Sequence, residues 1–408
     1  MNRSTTPPAL PLAVVVCGSL IALMTFGPRS AMGFFQDPML EAHGWSRTTW
    51  GLAIAIQNLL WGLAQPFFGL VSDKWGTWRV LAFSGISYAL GLVLMSFAEA
   101  PLMLHLSAGV LIGLGVASGS FSIIMAAFAR NVPAERRSFV FGIGTAAGSA
   151  GMMVFSPISV GMIAALGWHD TLVWFGIAML AVPLLGIPLV GNASTSLAAK
   201  SEIEQTVGVA LREAFGHRSY VLLTAGFFVC GFQVAFITAH FPPFLSDIGI
   251  DARWAGLAMM LIGLFNIIGS LGAGVIGQRR SKPMLLVWIY LLRAVAISLF
   301  LLLPASPASV LLFAGVMGLL WLSTVPPTNA LVAIMFGTRY LGMLGGIVFL
   351  SHQIGSFLGV WMGGYLRDIY GSFEPVWWIS VALSAFAAIM HWPIEEKPAP
   401  RPAIAAAE

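Results

Sequence analysis

Twelve runs of about 20 apolar residues constrain this chain more than any other feature of its sequence. A helix needs roughly that length to cross the hydrocarbon of a bilayer. The runs lie near 11–33, 48–71, 79–98, 102–128, 138–163, 171–190, 218–243, 254–277, 284–303, 309–334, 340–365 and 375–393. Spans three, six and nine are the plainest, and span ten, interrupted by Pro326-Pro327, is the least plain. Only 9% of the 408 residues are charged, against about 25% in an ordinary soluble domain. That composition excludes a soluble enzyme, a disordered chain and a disulfide scaffold, and predicts an all-α membrane protein. The run after Met1–Pro8 is long enough to span, so it does not read as a cleaved leader.

The cations test this count. If the N-terminus is cytoplasmic, the cytoplasmic segments hold fifteen Lys and Arg and the outside segments three, Arg47, Arg253 and Arg367. This positive-inside bias places both ends in the cytoplasm. One miscounted helix would invert every later loop. The net charge of +4 is spread over short loops with no long cationic tract, so nucleic-acid binding is not expected. Cys17 and Cys230 both lie in apolar runs, where they read as packing residues rather than a disulfide or a metal site.

The polar stretch 191–217 divides the chain into an N-terminal six-helix bundle (1–190) and a C-terminal one (218–393), followed by a cytoplasmic tail (394–408). Part of the dividing loop, near 202–215, has the pattern of an amphipathic surface helix. The Pro- and Ala-rich stretch from Pro393 onward is expected to be disordered. The halves are also alike. Gly51-Leu52-Ala53 opens span two and Gly69 follows eighteen residues later, and Gly256-Leu257-Ala258 and Gly274 repeat that spacing 205 residues on. Such repeats point to a secondary transporter with its site where the halves meet.

The loop after span two reads Gly69-Leu-Val-Ser-Asp73-Lys74-Trp-Gly76-Thr-Trp-Arg79. It resembles the Gly-x-x-x-Asp-Arg/Lys-x-Gly-x-x-Arg/Lys signature of the major facilitator superfamily. The second copy has Gln278 where an acid would stand, so only the first supplies a complete latch. The segments Gly27-Pro28-Arg29-Ser30-Ala-Met-Gly33, Gly44-Trp45-Ser46-Arg47 and Gly226 to Pro243 resemble the bacterial monocarboxylate-transporter-like branch, which includes oxalate/formate antiporter relatives. The resemblance implies two pseudo-symmetric six-helix bundles, a multi-pass place in the bacterial cytoplasmic (inner) membrane and a monomer among membrane lipid. It also implies a conformational latch at Gly69, Asp73, Lys74, Gly76 and Arg79.

None of the sixteen acidic residues falls mid-span. That absence weighs against an exporter of cationic drugs, which would use a carboxylate within the membrane. Two arginines do fall within spans. A membrane-centred arginine costs at least about 2.5 kcal/mol on insertion scales and needs a partner. Arg29 lies two-thirds across span one, which lines the cavity in the resembled fold. There it would hold a carboxylate through charge-assisted hydrogen bonds. The alternative is that it snorkels or binds backbone carbonyls. Arg293 lies midway along peripheral span nine, where a tie to Tyr290 or to a neighbouring helix competes with substrate contact.

Neutral polar residues complete the candidate set. Asn58, Trp61 and Gln65 share one face of span two, with Gln57 adjacent. Gln233 sits at the depth of Arg29 on the symmetry-related helix. Asn266 is central in span eight, Trp321 precedes the proline pair of span ten, and His352 and Gln353 lie in span eleven. For each, interhelical hydrogen bonding is the competing role. His240, near the outside end of span seven, reads as a solvated helix-end histidine.

These residues predict alternating-access transport of a small organic anion, most simply a monocarboxylate. Substrate contacts are expected from Arg29, Gln233, Asn266, His352, Asn58, Trp61, Trp321 and Arg293. Coupling is to a proton, carried by His352 or by the substrate carboxyl, or to a counter-anion. No cofactor or metal is expected. The alternatives are export of larger amphipathic compounds and, more remotely, a non-transporting membrane receptor.

Overall fold

The computed structural model describes residues 11–132, 134–191, 207–337 and 341–399, and the regular structure among them is entirely helical. Ten helical stretches are long and apolar enough to cross a membrane. One of these, Val140–Leu185, is 46 residues long and bends at Gly167, where φ is +80°. That backbone position is strained for an L side chain and open to glycine. Expected spans five and six are the two arms of this bent helix. The last helix, Glu374–His391, has 18 residues but ends in charged or polar groups that lower its apolar average. With the bend counted as a boundary and this helix added, the helices fall on the twelve expected runs.

Short polar residues set several of the helix starts. The Ser46 hydroxyl accepts from Thr49 N, Asp251 from Arg253 N, and Ser306 and Ser309 cap each other reciprocally. Each such cap contributes about 1 kcal/mol. Spans one, four and ten are each broken along their length, span four at Gly119 and Ser120 between Ile112–Ser118 and Phe121–Asn131. Span one runs as Leu12–Ser30, tightens through Ala31 and Met32, and resumes as Gly33–His43. Span ten runs as Pro307–Leu320, opens at 321–324 and resumes as Val325–Phe336.

Span nine shows why some helices are peripheral. Trp288, Leu292, Val295, Leu299 and Leu302 form an exposed stripe at helical spacing, while Tyr290, Arg293, Ile297 and Phe300 are buried on the other side. Span seven, Arg218–Asp247, is enclosed instead, with 72% of its apolar window buried.

One core gathers residues of spans one to six, joined by Ala235, Ala239 and Val360. Two further cores fill the C-terminal half, one centred on Phe241, Phe300, Phe313 and Trp377, the other on Tyr220, Tyr290 and Leu331. Within this half, span eleven carries glycines at 355, 359 and 363. They let its backbone lie directly against Phe228, Phe232 and His240 of span seven. Span two crosses to span eleven, where a Cβ at Gly51 would lie 2.9 Å from Val360 O and one at Gly62 would lie 2.7 Å from the Gln353 side chain. Span five crosses to span eight, where a Cβ at Gly263 would lie 2.9 Å from Ser149 O.

The end of the chain departs from its expected disorder as far as it is described. Ile394 and Ala399 are buried, Glu395 N donates to Ser219 Oγ at 3.1 Å, Lys282 N donates to Glu396 Oε2 at 3.0 Å, and Ala399 N donates to Met335 O at 2.9 Å. The tail thus straps the ends of spans seven, nine and ten. Its apolar Ile394 supplies the burial that a Pro/Ala count undervalues. Of the expected surface helix in the dividing loop, Val207–Gly216 is helical, and 192–206 lie outside the described residues.

Candidate functional site

Arg29 ends the first segment of span one. Pro28 has no N–H and loosens the helix just before it, and the turn closes through Ser30 Oγ donating to Gly27 O at 2.7 Å and Ala31 N donating to Pro28 O at 3.1 Å. The Arg29 side chain, half-buried, reaches span two. Its Nη2 donates to Asn58 Oδ1, and its guanidinium lies over the Trp61 ring at 4.7 Å. Asn58 Nδ2 donates to Ile54 O at 2.8 Å, which fixes the amide with its oxygen toward the arginine. The buried Nε of Arg29 and the indole Nε1 of Trp61 have no hydrogen-bond partner. None of the ion pairs formed among the described residues includes Arg29.

Span eleven supplies the opposite wall. Gln353 Nε2 donates to Asn58 O at 2.9 Å, and the Gln353 oxygen lies 2.9 Å from His352 Nδ1. Phe349 meets Trp61 edge-on at 5.3 Å and stacks on His352 at 5.6 Å. Phe26, one turn before Arg29, meets Trp61 at 5.7 Å. Arg29, Asn58 and Trp61 therefore meet Phe349 and Gln353 where the two halves touch, while His352, behind Phe349, lies against Phe227 of span seven at 5.1 Å. Phe26 and Phe349 are the residues that sequence reasoning missed. Their only signal was position, each three residues before a candidate, at 26 to 29 and 349 to 352.

The remaining candidates form a second cluster centred in the C-terminal half, which Asn266 ties to span five of the other half. Arg293 is wholly buried. Its Nε and Nη2 donate to Leu320 O at 3.2 and 2.6 Å, Nη2 also donates to Trp321 O, and Nη1 donates to Gln233 Oε1 at 3.1 Å. Gln233 Nε2 donates to Ser380 O at 2.9 Å and Ser384 Oγ at 2.6 Å, so Gln233 faces spans nine and twelve rather than Arg29. Asn266 accepts from Leu322 N at 3.0 Å and donates to Ser149 Oγ at 2.9 Å. The backbone groups of Leu320, Trp321 and Leu322 border the opening in span ten. In an unbroken membrane helix the two carbonyls would be satisfied within the segment. Arg293 and Asn266 supply partners where the helix opens. Trp321 itself is buried beside them.

On the face that the cations assign to the outside, Arg47 pairs with Asp37 at 2.7 Å and with Asp247 at 2.9 Å, and Arg367 pairs with Asp247 at 2.8 Å. Below them His240 is fully buried, not solvated: its Nε2 lies 2.8 Å from Val360 O and its Nδ1 lies 3.2 Å from Gln36 Oε1. The halves are thus joined from this outer face down to the level of Arg29. On the opposite face, a Cβ at Gly69, Gly142, Gly272 or Gly346 would meet nothing within 4 Å.

In the loop that carries the signature, Gly76 has φ +97°, Thr77 N donates to Gly191 O at 3.1 Å, and Arg79 Nη1 donates to Trp75 O at 2.8 Å. Lys74 lies over the Trp75 ring at 5.2 Å. The Asp73 side chain falls outside the described residues.

Residues 18–359 match the Major Facilitator Superfamily. An uncharacterized MFS-type transporter, YcxA, of Bacillus subtilis (strain 168) is 25% identical over 395 residues, covering 95% of each chain. Monocarboxylate transporter 13 of Rattus norvegicus is 25% identical over 374 residues, covering 88% of this chain and 83% of that protein. Among solved structures, a bacterial homologue of the human lysosomal transporter Spinster, inward-facing and occupied, superposes with a TM-score of 0.75 at 14% identity, covering 95% of this chain and 97% of that one. A D-xylose-proton symporter superposes with a TM-score of 0.72 at 14% identity, covering 95% and 98%. The sequence motifs, the helical architecture and these relatives agree: the chain is a transporter of the major facilitator superfamily, and it resembles the monocarboxylate-transporter-like branch of it.

Proposed function

We propose that this transporter carries a small organic monocarboxylate by alternating access, with Arg29 as the group that holds the carboxylate. One observation carries the reading. Arg29 is a half-buried cation at the seam between the halves, with neutral partners and one unpartnered N–H. A buried charge without an opposite charge is costly, and a bound carboxylate would supply that charge through strong hydrogen bonds. Relatives named monocarboxylate transporters support the substrate class.

In this reading the halves 1–190 and 218–393 rock about the Arg29 level. The 191–217 loop connects them, and the Gly69–Arg79 loop latches the cytoplasmic side. Asn58 orients the guanidinium, Trp61 shapes the wall, and His352 contacts substrate and carries a coupling proton when transport is by symport. Anion exchange would need no such carrier. We assign Gln233, Asn266, Trp321 and Arg293 to holding the opening in span ten. The protein sits in the bacterial inner membrane as a monomer, with both termini cytoplasmic.

The test is uptake of a labelled carboxylate panel into proteoliposomes by wild type and Arg29→Gln. Uptake lost in the variant supports the reading. Uptake that survives makes Arg29 structural. No uptake by folded wild type shifts the assignment to an exporter of amphipathic compounds.

A further inference from the structure

We infer that the ligand of the Arg29 site is a monocarboxylate with a flat apolar body, an aromatic carboxylate rather than a hydroxy acid or a dicarboxylate. The inference rests on the reading of Arg29 as the carboxylate anchor and adds what the rest of the ligand must be.

Three features select this chemistry. The first is the supply of hydrogen-bonding groups. The amides of Asn58 and Gln353 have both ends bonded within the protein. The unpartnered groups beside them are two donors, Arg29 Nε and Trp61 Nε1, and the Tyr88 hydroxyl near Arg29, which can donate or accept. A carboxylate only accepts and suits such a site. A hydroxyl must also donate, and with both amides already bonded it is left to compete for the Tyr88 hydroxyl, so the site supplies more donors than acceptors. Sites lacking partners for a polar group discriminate against it.

The second feature is charge. Arg293 has every nitrogen bonded to a carbonyl, an amide or the Cys230 thiol of its own half. It offers nothing to a second carboxylate, so one anchor admits one anion.

The third is shape. The guanidinium lies against Trp61, and Phe26 and Phe349 stand edge-on to that indole from opposite halves. A flat ring held by its carboxylate would contact these faces. Ring pairs in such geometries are favourable beyond their buried area. Because Phe349 belongs to span eleven and Phe26 to span one, the ligand body would touch both halves and sense their relative position.

The experiment is calorimetric binding to purified full-length protein in detergent at neutral pH, with benzoate, phenylacetate, lactate and malonate as probes. Binding is measured because neutral aromatic acids cross lipid unaided. Benzoate or phenylacetate should bind at least about tenfold more tightly than lactate, and malonate should not bind. Phe349→Leu, verified as folded by thermal unfolding, should cut that preference to about threefold or less. Lactate binding as tightly as benzoate, or an aromatic preference that survives Phe349→Leu, overturns the inference. If lactate or malonate binds in an Arg29-dependent way and benzoate does not, the anchor stands and only the flat body is wrong. If no carboxylate binds folded wild type, the anchor itself falls and this inference with it.

Discussion

Asp368, at the end of span eleven, caps the first turn of span two in the other half of the molecule. Its Oδ1 accepts from Arg47 N at 3.0 Å, and its Oδ2 accepts from Thr48 N at 2.7 Å and from the Thr48 hydroxyl. The first N–H groups of a helix have no internal partner, and the positive end of its dipole favours an anion. Together with the Arg47, Asp37, Asp247 and Arg367 pairs this contact seals the outer face. Opening that face requires the cap to release.

Asp368→Asn keeps the shape and removes the charge. Hydrogen bonds to a charged group contribute about 1.5–3 kcal/mol, enough to shift a two-state balance roughly tenfold or more. A reporter Phe34→Cys, between the halves, should therefore label faster with a membrane-impermeant maleimide in the Asp368→Asn background. Equal labelling rates with and without the substitution would show that the cap does not hold the outer seal.

Arg293 is predicted to matter for folding and not for ligand. Arg293→Met strands Leu320 O and Trp321 O at the opening of span ten. Each buried carbonyl left without a donor costs about 1–3 kcal/mol. The thermal midpoint in detergent should fall by several degrees, and Arg293→Lys should recover little, because a single ammonium cannot replace the guanidinium fork. Carboxylate affinity of the folded fraction should match wild type. A folded Arg293→Met protein with normal stability and lost binding would move Arg293 into the substrate site.

The twelve runs and the positive-inside bias made the architecture legible, because lipid leaves a helix few ways to be polar. The site was legible only in part. Asn58 and Trp61 share a face by spacing alone, and Arg29 was conspicuous as an arginine in an apolar run. Spacing puts Gln233 at the depth of Arg29 but says nothing of its partners, which are Arg293, Ser380 and Ser384. Depth along a helix follows from counting residues, but facing follows from an exposed apolar stripe, and enclosed span seven has none. Arg293 could have been oriented from the stripe on its own helix, Trp288 to Leu302. Phe349 is one of 28 phenylalanines, and nothing in its neighbourhood marks it until span two is packed beside it.

The docked tail gives a graded prediction. Glu396 pairs with Lys282, their side chains 27% and 17% solvent-exposed, and a pair still in contact with water contributes about 1 kcal/mol. Ile394 is 7% exposed, and burying such a side chain contributes about 1.5–3 kcal/mol. Ile394→Asp should therefore lower the thermal midpoint clearly more than Glu396→Gln. The reverse order would mean that charge, not apolar burial, seats the tail.

Span eleven contains its own control for close helix packing. An added Cβ at Gly359 would strike Phe232 O and sit 3.0 Å from its Cα, and span seven cannot retreat because its other faces are buried. An added Cβ at Gly346 would meet nothing within 4 Å. Both glycines lie in the same helix, Leu341–Tyr370, so alanine brings the same gain in helix propensity, about 1 kcal/mol. At Gly346 that gain stands alone, and Gly346→Ala should match or exceed wild-type stability. At Gly359 it is opposed by overpacking against backbone, which costs about 1–3 kcal/mol or more, and Gly359→Ala should melt earlier or fail to fold. Thermal unfolding of the two variants side by side decides the matter. Equal melting would mean that spans seven and eleven are further apart than their glycine stripe requires.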